Sequence, residues 1–580
     1  MRSELRWPLA AVGYLVLAVL LTWPLGLHLG SALPGFESID ANDTVGLRGL
    51  VPGMLGTLPT SHDIYWPTGY PLLWLVPNLV DHLTGGLLAW LLPFPLADNL
   101  WWLTVMVANG LAAHSLGRQL GGHSGGALLG VAWLCSEPLM RELNLHHAPQ
   151  SLVMWAPLYV GAALRALRGE GSGWKAGLFM GLAALSYWYL ALFLALATVP
   201  LAAWTLRSKA GARQLGVAVL VSLVALPALA PVLGNWDKLP NTDRDFAPPP
   251  LEMREALDEV PEHLRFVVEQ SADPTFAVRS TPLDRSNRLS LVLLLAAVVG
   301  SVRQRRGLGL GVAALGAVMV LGPYLKWGED PTGTLLSLPF RWLGGLHPFF
   351  ERLTWPQRWG LLIPLGLGMA AARAPRAWAW APFVLLEALL FSGNTPVRTR
   401  SLAGLDAWEV LRLADGPIVE LPLSRSGTQA ALPMVHRRYH GRSLANPFLL
   451  PPGAQVPPAW NTWAHEDGLV GWLLRMENGG VSGPPGQADP ALAALALDAY
   501  PGSALSLERI EERIEELSRW LGPPDDLGAV AVWWLHEPIG PVAVHPDGAG
   551  WRAAEVQRLR ALDHPELNTL MEPIVNPYSR

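Results

Sequence analysis

The stretch Ser31–Trp74, SALPGFESIDANDTVGLRGLVPGMLGTLPTSHDIYWPTGYPLLW, decides how the chain is organised. It holds Glu37, Asp40, Asp43, His62 and Asp63, with Arg48 as its only basic residue. It directly follows the first hydrophobic segment, and the chain after it is largely apolar as far as about Trp236. A plain connector between membrane segments could be about five residues long, so a long acidic loop indicates a function.

Composition indicates a membrane protein. Of the 580 residues, 51% are hydrophobic and 15% are charged, and the mean hydropathy is +0.27, whereas soluble domains carry about 25% charged residues. The single cysteine, Cys135, excludes an intrachain disulfide and a zinc site built on several thiolates. A net charge of −5 without a basic run argues against nucleic acid as a partner.

Apolar runs and the Lys/Arg content of the short loops predict about eleven spans, with a cytoplasmic N-terminus and an external C-terminus. The spans lie near residues 8–28, 97–116, 125–139, 151–167, 174–187, 189–206, 215–233, 289–302, 308–325, 358–372 and 377–391. The first is expected to be an uncleaved anchor. Residues 71–94 contain Asp81 and His82. We predict an interfacial or re-entrant helix there, because a crossing would move the basic loops outside.

The fold class expected is an all-α polytopic membrane domain with a small α/β extracytoplasmic domain. The membrane domain covers residues 1–391, with external loops at 29–96 and 235–287, and the soluble domain covers 392–580. In the soluble domain we predict strands at 417–421 and 529–535. A three- and four-residue apolar repeat from Leu507 to Leu521, followed by Gly522, predicts an amphipathic helix.

Asp40 and Asp43 are the candidate catalytic residues. One carboxylate at a cleft can deprotonate a hydroxyl, and two can share a divalent metal ion. The alternative is a solvated acidic loop or a local helix cap, and the Asp-x-x-Asp spacing does not decide between them.

Four basic side chains are candidates for binding a phosphate at the outer headgroup level. His146 and His147 follow the third span, close to Glu137 and Glu142, and a histidine there could bind a phosphate or protonate a leaving oxygen. Arg352 and Arg358 enter a span from outside, and a guanidinium can hold a phosphate by two hydrogen bonds. The alternatives are an interfacial histidine pair without a role and a salt bridge from arginine to a loop carboxylate.

Four further side chains are candidates for binding the substrate. Tyr187 and Tyr189, at the predicted outer hairpin, could stack on a sugar or a lipid chain, although an aromatic belt would also place them there. His62 and Asp63 lie in the acidic loop. The sequence contains no Walker loop, no G-x-G-x-x-G, no H-E-x-x-H and no G-x-S-x-G.

The layout resembles the GT-C superfamily of polytopic glycosyltransferases, including protein O-mannosyltransferases, aminoarabinose transferases and oligosaccharyltransferases. The resemblance covers about residues 1–391: one span, a long external loop with an acidic residue, an amphipathic segment, a bundle and a soluble domain. Poorly characterised bacterial members are the most similar. The matching pieces are Thr22-Trp23-Pro24-Leu25, Tyr65-Trp66-Pro67-Thr68-Gly69, His146-His147, Trp355-Pro356-Gln357-Arg358 and Gly416-Pro417-Ile418-Val419-Glu420-Leu421-Pro422-Leu423.

The resemblance implies a multi-pass protein of the bacterial inner (plasma) membrane, with a polyprenyl-phosphate sugar as donor and an extracytoplasmic glycan, lipid or protein as acceptor. Asp40 or Asp43 would be the general base, and Arg358 or His146 would stabilise the leaving phosphate. The sequence departs from the best-studied members in lacking a clean acidic pair immediately after the first span, which leaves metal use open. The alternative is a non-catalytic scaffold or transporter for lipid-linked polysaccharide. Transport is disfavoured because the spans are nearly free of charge, Glu387 excepted.

Overall fold

A computed structural model describes most of the chain. The described residues are 6–36, 39–53, 60–71, 78–206, 208–226, 271–272, 287–304, 307–325, 337–346, 355–402, 404–423, 431–446, 457–477, 483–500 and 506–561. Arg352 and nearly all of the loop 235–287 lie outside the described residues.

The N-terminal two thirds of the chain is helical. Its helices are α1 (Arg6–Leu21), α2 (Ile39–Arg48), α3 (Leu79–Leu91), α4 (Leu96–Leu134), α5 (Glu137–Asn144), α6 (Ala148–Ser151), α7 (Trp155–Leu167), α8 (Gly173–Ser186), α9 (Trp188–Thr205), α10 (Lys209–Ser222), α11 (Leu291–Gln304), α12 (Leu308–Val320), α13 (Pro339–Leu346), α14 (Leu362–Ala371) and α15 (Ala381–Phe391). Among the described residues, the 3₁₀ helices are Leu25–Leu27, Leu223–Ala225, Pro356–Leu361, Ala377–Trp380 and Leu405–Leu413.

The C-terminal part adds helices and a sheet. Its helices are α16 (Leu432–His440), α17 (Pro458–Glu466), α18 (Val470–Glu477), α19 (Leu507–Leu521) and α20 (Gly548–Ala561). In the part of the chain that the structure describes, the strands are β1 (Ala32–Pro34), β2 (Thr60–Ser61), β3 (Tyr70–Pro71), β4 (Thr399–Ser401), β5 (Ile418–Leu421), β6 (Ala494–Asp498), β7 (Asp525–Asp526) and β8 (Val530–Trp534). Strands β5, β6, β8 and β7 form one sheet in that order, in which only the β5–β6 pair is parallel.

A helix stands at each of the predicted spans. The spans expected at 97–116 and 125–139 are joined in α4, which is broken by non-helical backbone at Gly121 and Gly122. Gly122 has φ +68°, a conformation that favours glycine because it has no Cβ. Helix α14 packs against α4, α11 and α12 in the core of the bundle. Among the described residues, no helix combines the length and the apolar character needed to cross a bilayer.

The acidic loop is more ordered than expected, since residues 39–48 form α2. Strand β1 pairs with β4, and α2 packs against α16 of the C-terminal part. Leu47, Leu50 and Tyr65 belong to the same hydrophobic cluster as the four-stranded sheet. The acidic loop therefore shares a hydrophobic core with the C-terminal part.

A buried charge network joins these parts. Arg48 of α2 donates to Asp81 of α3 at 2.5 Å and to Asp98 of α4 at 3.0 Å, and Arg438 of α16 lies 3.3 Å from Asp98. The Arg48 guanidinium also stacks 3.7 Å from the ring centre of Trp101. Buried charges are tolerated when each is paired in this way, so the network fixes α2 against the bundle.

Candidate functional site

Helix α5 carries the first half of the candidate site. All of its residues are buried, and Pro138 lies in the first turn, where the missing N–H costs no hydrogen bond. The backbone of Phe36 donates to the carbonyl of Asn144 at 2.6 Å. Gly35 comes so close that a Cβ there would lie 2.5 Å from the same oxygen. The acidic loop is therefore held directly against the end of α5.

Three charged or polar side chains of this region form a chain of contacts. Glu142 accepts hydrogen bonds from Arg141 Nε at 3.1 Å and from His147 Nδ1 at 2.7 Å. Burial opposes ionisation of the Glu142 carboxyl, but Arg141, His147 and Arg358 outweigh it and hold its pKa well below the usual range. Glu142 is thus an ionised carboxylate that orients both Arg141 and His147.

Arg358 supplies the second half from the 3₁₀ helix Pro356–Leu361. Its Nη1 donates to the hydroxyl of Tyr187 at 3.0 Å. Its guanidinium carbon lies 5.6 Å from the ring centre of Tyr187, 5.8 Å from that of Tyr189 and 5.1 Å from that of Trp355, within the range of cation–π attraction. Arg358 and Tyr187, selected separately from the sequence, are therefore in direct contact.

A cavity lies between these groups, and we call it the arginine cavity. Its lining residues are Pro138, Leu139, Arg141, Glu142, Gln150, Tyr187, Phe193, Arg358 and Leu361. Two guanidiniums, of Arg141 and Arg358, and one carboxylate, of Glu142, line it. The Oε1 atom of Gln150 is buried without a hydrogen-bond partner in the part of the chain that the structure describes, which leaves a polar atom for a ligand.

His146 occupies a different environment from its neighbour His147. It is fully buried, its Nδ1 lies 2.7 Å from the carbonyl of Pro34, and its Nε2 accepts from Trp102 at 3.2 Å. Both ring nitrogens are used within the protein, as expected for a neutral imidazole. The structure thus brings His147, and not His146, to the carboxylate that lines the arginine cavity.

The two candidate catalytic carboxylates of the acidic loop, Asp40 and Asp43, both lie on α2. Asp40 lies in the first turn of α2, and its side chain is not described. Asp43 is 2% exposed. The pKa of the Tyr70 phenol is raised mainly by burial, then by Tyr65 and then by the nearby Asp43 carboxylate. Asp43 is not among the described residues that line the arginine cavity.

The remaining candidates of this loop lie farther along it. His62 is exposed, with Nδ1 3.0 Å from the carbonyl of Pro67, and Asp63 pairs with Arg437 of α16 at 2.6 Å. No group of three His, Cys, Asp or Glu side chains able to hold a metal occurs among the residues described, and the proposed metal role of Asp40 and Asp43 stays a prediction.

Three polar or charged residues that line the arginine cavity are not selected as site residues from the sequence. Glu142 is noted there only as a neighbour of the histidines, while Arg141 and Gln150 are not singled out. The sequence pattern available is the adjacent pair Arg141-Glu142 in a short amphipathic segment that ends before His146-His147. That pattern alone is equally typical of a surface helix.

Comparison with known proteins gives similarity in structure only. No protein-family model matches the chain, and no curated protein matches it in sequence. The arabinofuranosyltransferase AftD from Mycobacteria superposes with a TM-score of 0.53 and 16% identity, over 96% of this chain and 42% of AftD. A mutant of AftD superposes with a TM-score of 0.51 and 16% identity, over 93% of this chain and 40% of the mutant chain. The chain thus spans about two fifths of the length of AftD.

A weaker similarity, with a TM-score of 0.39 and 12% identity, relates 93% of this chain to all of ArnT from Cupriavidus metallidurans. The similarity to AftD shows that this chain shares the fold of that arabinofuranosyltransferase, which is the fold expected from the resemblance to GT-C glycosyltransferases. The resemblance found in the sequence is confirmed at the level of the fold.

Proposed function

We propose that the chain is an integral membrane glycosyltransferase that transfers a sugar from a polyprenyl-phosphate donor to an extracytoplasmic acceptor. The observation that carries the proposal is the arginine cavity, in which Arg141 and Arg358 face a buried space beside His147 and two tyrosines. Paired guanidiniums are the groups that bind a phosphate with two hydrogen bonds each. The GT-C fold gives independent support.

Exposed apolar side chains support a place in the membrane. The helices α1, α10, α11 and α15 each expose several large apolar residues. Examples are Leu9, Val12 and Val16 on α1, Val219 and Leu220 on α10, Leu295 and Val302 on α11, and Phe383 and Leu390 on α15. Contiguous exposed apolar surface of this kind marks contact with lipid or with a partner. We assign the bundle to the bacterial inner membrane, with the N-terminus in the cytoplasm and the C-terminal part outside.

The proposed chemistry is a substitution at the anomeric carbon of the donor. An acceptor hydroxyl attacks that carbon and loses its proton to a carboxylate, while the bond from the carbon to the phosphate oxygen breaks and the phosphate leaves with the electron pair. Arg358 and Arg141 would stabilise the negative charge that develops on the phosphate. His147, oriented by Glu142, would donate a hydrogen bond to the same group. Asp40 or Asp43 stays the proposed general base.

The test is sugar transfer in membrane vesicles that contain the full chain. Radiolabelled polyprenyl-phosphate pentose and hexose are supplied, and label is followed from the lipid to an acceptor. We expect transfer by the parent and a loss of at least about a hundredfold in Arg358→Ala, since one donor to a developing oxyanion contributes about 10²–10³ in rate. Absence of transfer with every donor, together with failure of the purified chain to bind farnesyl phosphate, would reject the proposal.

A further inference from the structure

A second cavity adjoins the arginine cavity, and Pro138 lines both. It lies between the C-terminal end of α4, the start of α5, the start of α11, and helices α14 and α15. We call it the amide cavity, because Asn287 lines it. No step of the proposed phosphate chemistry uses this space.

Asn287 is buried without a hydrogen-bond partner. It is 1% exposed, and neither its Nδ2 nor its Oδ1 contacts a donor or acceptor among the described residues. Buried polar groups are nearly always hydrogen bonded, because an unsatisfied one destabilises the fold. An unpartnered amide buried beside a cavity is therefore a candidate contact for a ligand that accepts from its N–H and donates to its oxygen.

Gly360 makes room for this amide. A Cβ at position 360 would lie 2.0 Å from Asn287 Oδ1 and 2.7 Å from its Cγ. Gly360 lies in the same 3₁₀ helix as Arg358, two residues farther along the chain. The segment that presents the guanidinium to the arginine cavity thus also shapes the amide cavity.

The charged side chains of the amide cavity are hydrogen bonded within the protein. Glu387 accepts from Arg288 at 3.1 Å and from the backbone N–H groups of Leu291 and Val292 at 2.8 and 3.1 Å, at the start of α11. Glu137 accepts from Asn394 at 2.9 Å. Two carboxylates and one guanidinium line this space, the reverse of the arginine cavity, so an anion is disfavoured.

We propose that the amide cavity binds a neutral sugar ring, with Asn287 hydrogen bonded to two of its hydroxyl groups. A carboxamide offers one donor and one acceptor side by side, which fits two adjacent hydroxyls. The apolar walls, including Leu293, Ile363 and Leu367, contact the C–H faces of the ring. This inference rests on the proposed function, because it assigns the sugar of that reaction to a site. The ring could belong to the donor or to the acceptor.

Two variants of the full chain test the site. Asn287→Leu keeps the approximate shape and removes both hydrogen-bonding groups, while Gly360→Ala pushes a methyl group against the amide. The control is Gly311→Ala on α12, where a Cβ meets nothing within 4 Å. Asn287→Leu removes an unsatisfied buried amide, so its melting temperature should not fall. A fall in melting temperature would instead assign Asn287 to the structure.

Binding to the detergent-purified chain is measured with three probes: farnesyl phosphate, its arabinofuranosyl and glucosyl esters, and the methyl glycosides of the same sugars. Tighter binding of an ester than of farnesyl phosphate, reduced at least about tenfold by Asn287→Leu, would assign the donor sugar to the amide cavity. Binding of a methyl glycoside in the presence of saturating farnesyl phosphate, reduced by the same variant, would assign the acceptor.

Gly360→Ala should act like Asn287→Leu, and Gly311→Ala should bind like the parent. The inference is overturned if the contribution of the sugar is the same in Asn287→Leu as in the parent, or if no sugar contributes to binding. The proposed function has its own readout in that experiment, which is the dependence of farnesyl phosphate binding on Arg358. If the sugar adds nothing to binding while farnesyl phosphate binding still depends on Arg358, only the sugar site is rejected.

Discussion

His147 is bound twice to Glu142: its Nδ1 lies 2.7 Å from Glu142 Oε2, and its backbone N–H donates to the Glu142 carbonyl at 2.8 Å. His146, which directly precedes His147, has φ +55°, a left-handed conformation that is uncommon outside glycine. The strained turn folds the chain back over the end of α5. Such strain is found mainly where a function requires it.

The ionised state of Glu142 should make stability depend on pH. Its folded pKa lies well below the usual carboxyl range, so its contribution is fully present above the unfolded pKa of about 4.3 and is lost as pH falls through the folded pKa. Glu142→Gln should therefore lower the melting temperature most at neutral pH, because Arg141 loses its buried partner. The difference between parent and variant should shrink below about pH 4, as measured by thermal unfolding across pH. A difference that is constant from pH 7 to pH 3 would contradict this account.

The buried network around Arg48 should hold the acidic loop to the bundle. Arg48→Met leaves Asp81 and Asp98 buried with one partner fewer, and breaking a buried pair costs about 3–5 kcal/mol. We expect a large fall in melting temperature in detergent. Arg509→Met is the matched control, since its pair with Glu512 is exposed and such a pair contributes about 0–1 kcal/mol. Equal shifts in the two variants would show that the network does not stabilise the fold.

The helices could be predicted from the sequence because apolar runs are local, and the amphipathic helix at Leu507–Leu521 was predicted at the residues where α19 lies. The strand expected at 529–535 is β8, Val530–Trp534. The site could be predicted only in part. Arg358 and Tyr187 lie 171 residues apart, and no local pattern shows that they meet.

The sequence also does not distinguish the roles of two adjacent residues, His146 and His147. His146 and His147 carry the same chemistry, and only the left-handed turn at His146 decides that one is buried against Pro34 while the other reaches Glu142. The acidic residues were expected on a loop, yet Asp43 is on α2 and buried. Its burial follows from the packing of α2 on α16, about 390 residues farther along the chain.

Membrane topology is the third prediction. The basic loops between the apolar segments predict that residues 168 and 306 lie in the cytoplasm and residue 580 outside. Fusions of alkaline phosphatase and of green fluorescent protein after these positions should report inside, inside and outside. The two reporters control each other, since one is active only outside and the other only inside. A cytoplasmic result after residue 580 would overturn the number of spans and the external position of the site.

The fourth prediction concerns the acidic residues Asp40 and Asp43. Asp40→Asn and Asp43→Asn should each be assayed for sugar transfer and for stability, because removal of the general base should abolish transfer. Exposed changes cost little stability, but Asp43 is 2% exposed, so its variant needs a melting temperature beside the activity. Loss of transfer with a normal melting temperature would identify the base. Full activity in both variants would exclude this loop as its source.

Arg358 is the last. Its guanidinium lies against Tyr187, Tyr189 and Trp355 and lines the arginine cavity, and a planar fork binds a phosphate by two hydrogen bonds where an ammonium acts as a point charge. Arg358→Lys should therefore lose most of the affinity for farnesyl phosphate despite keeping the charge, and Arg358→Ala should lose more. A charge-assisted hydrogen bond contributes about 1.5–3 kcal/mol, so we expect a decrease of about tenfold to a hundredfold.

Tyr187→Phe separates this role from a structural one. It removes the hydroxyl that accepts from Arg358 at 3.0 Å and keeps the ring, so it should weaken phosphate binding less than Arg358→Lys does. Farnesol, which lacks the phosphate, should bind equally to all of these variants. If Arg358→Lys lowers the melting temperature while its affinity for farnesyl phosphate stays that of the parent, Arg358 serves the packing of the aromatic cluster and the phosphate must bind elsewhere.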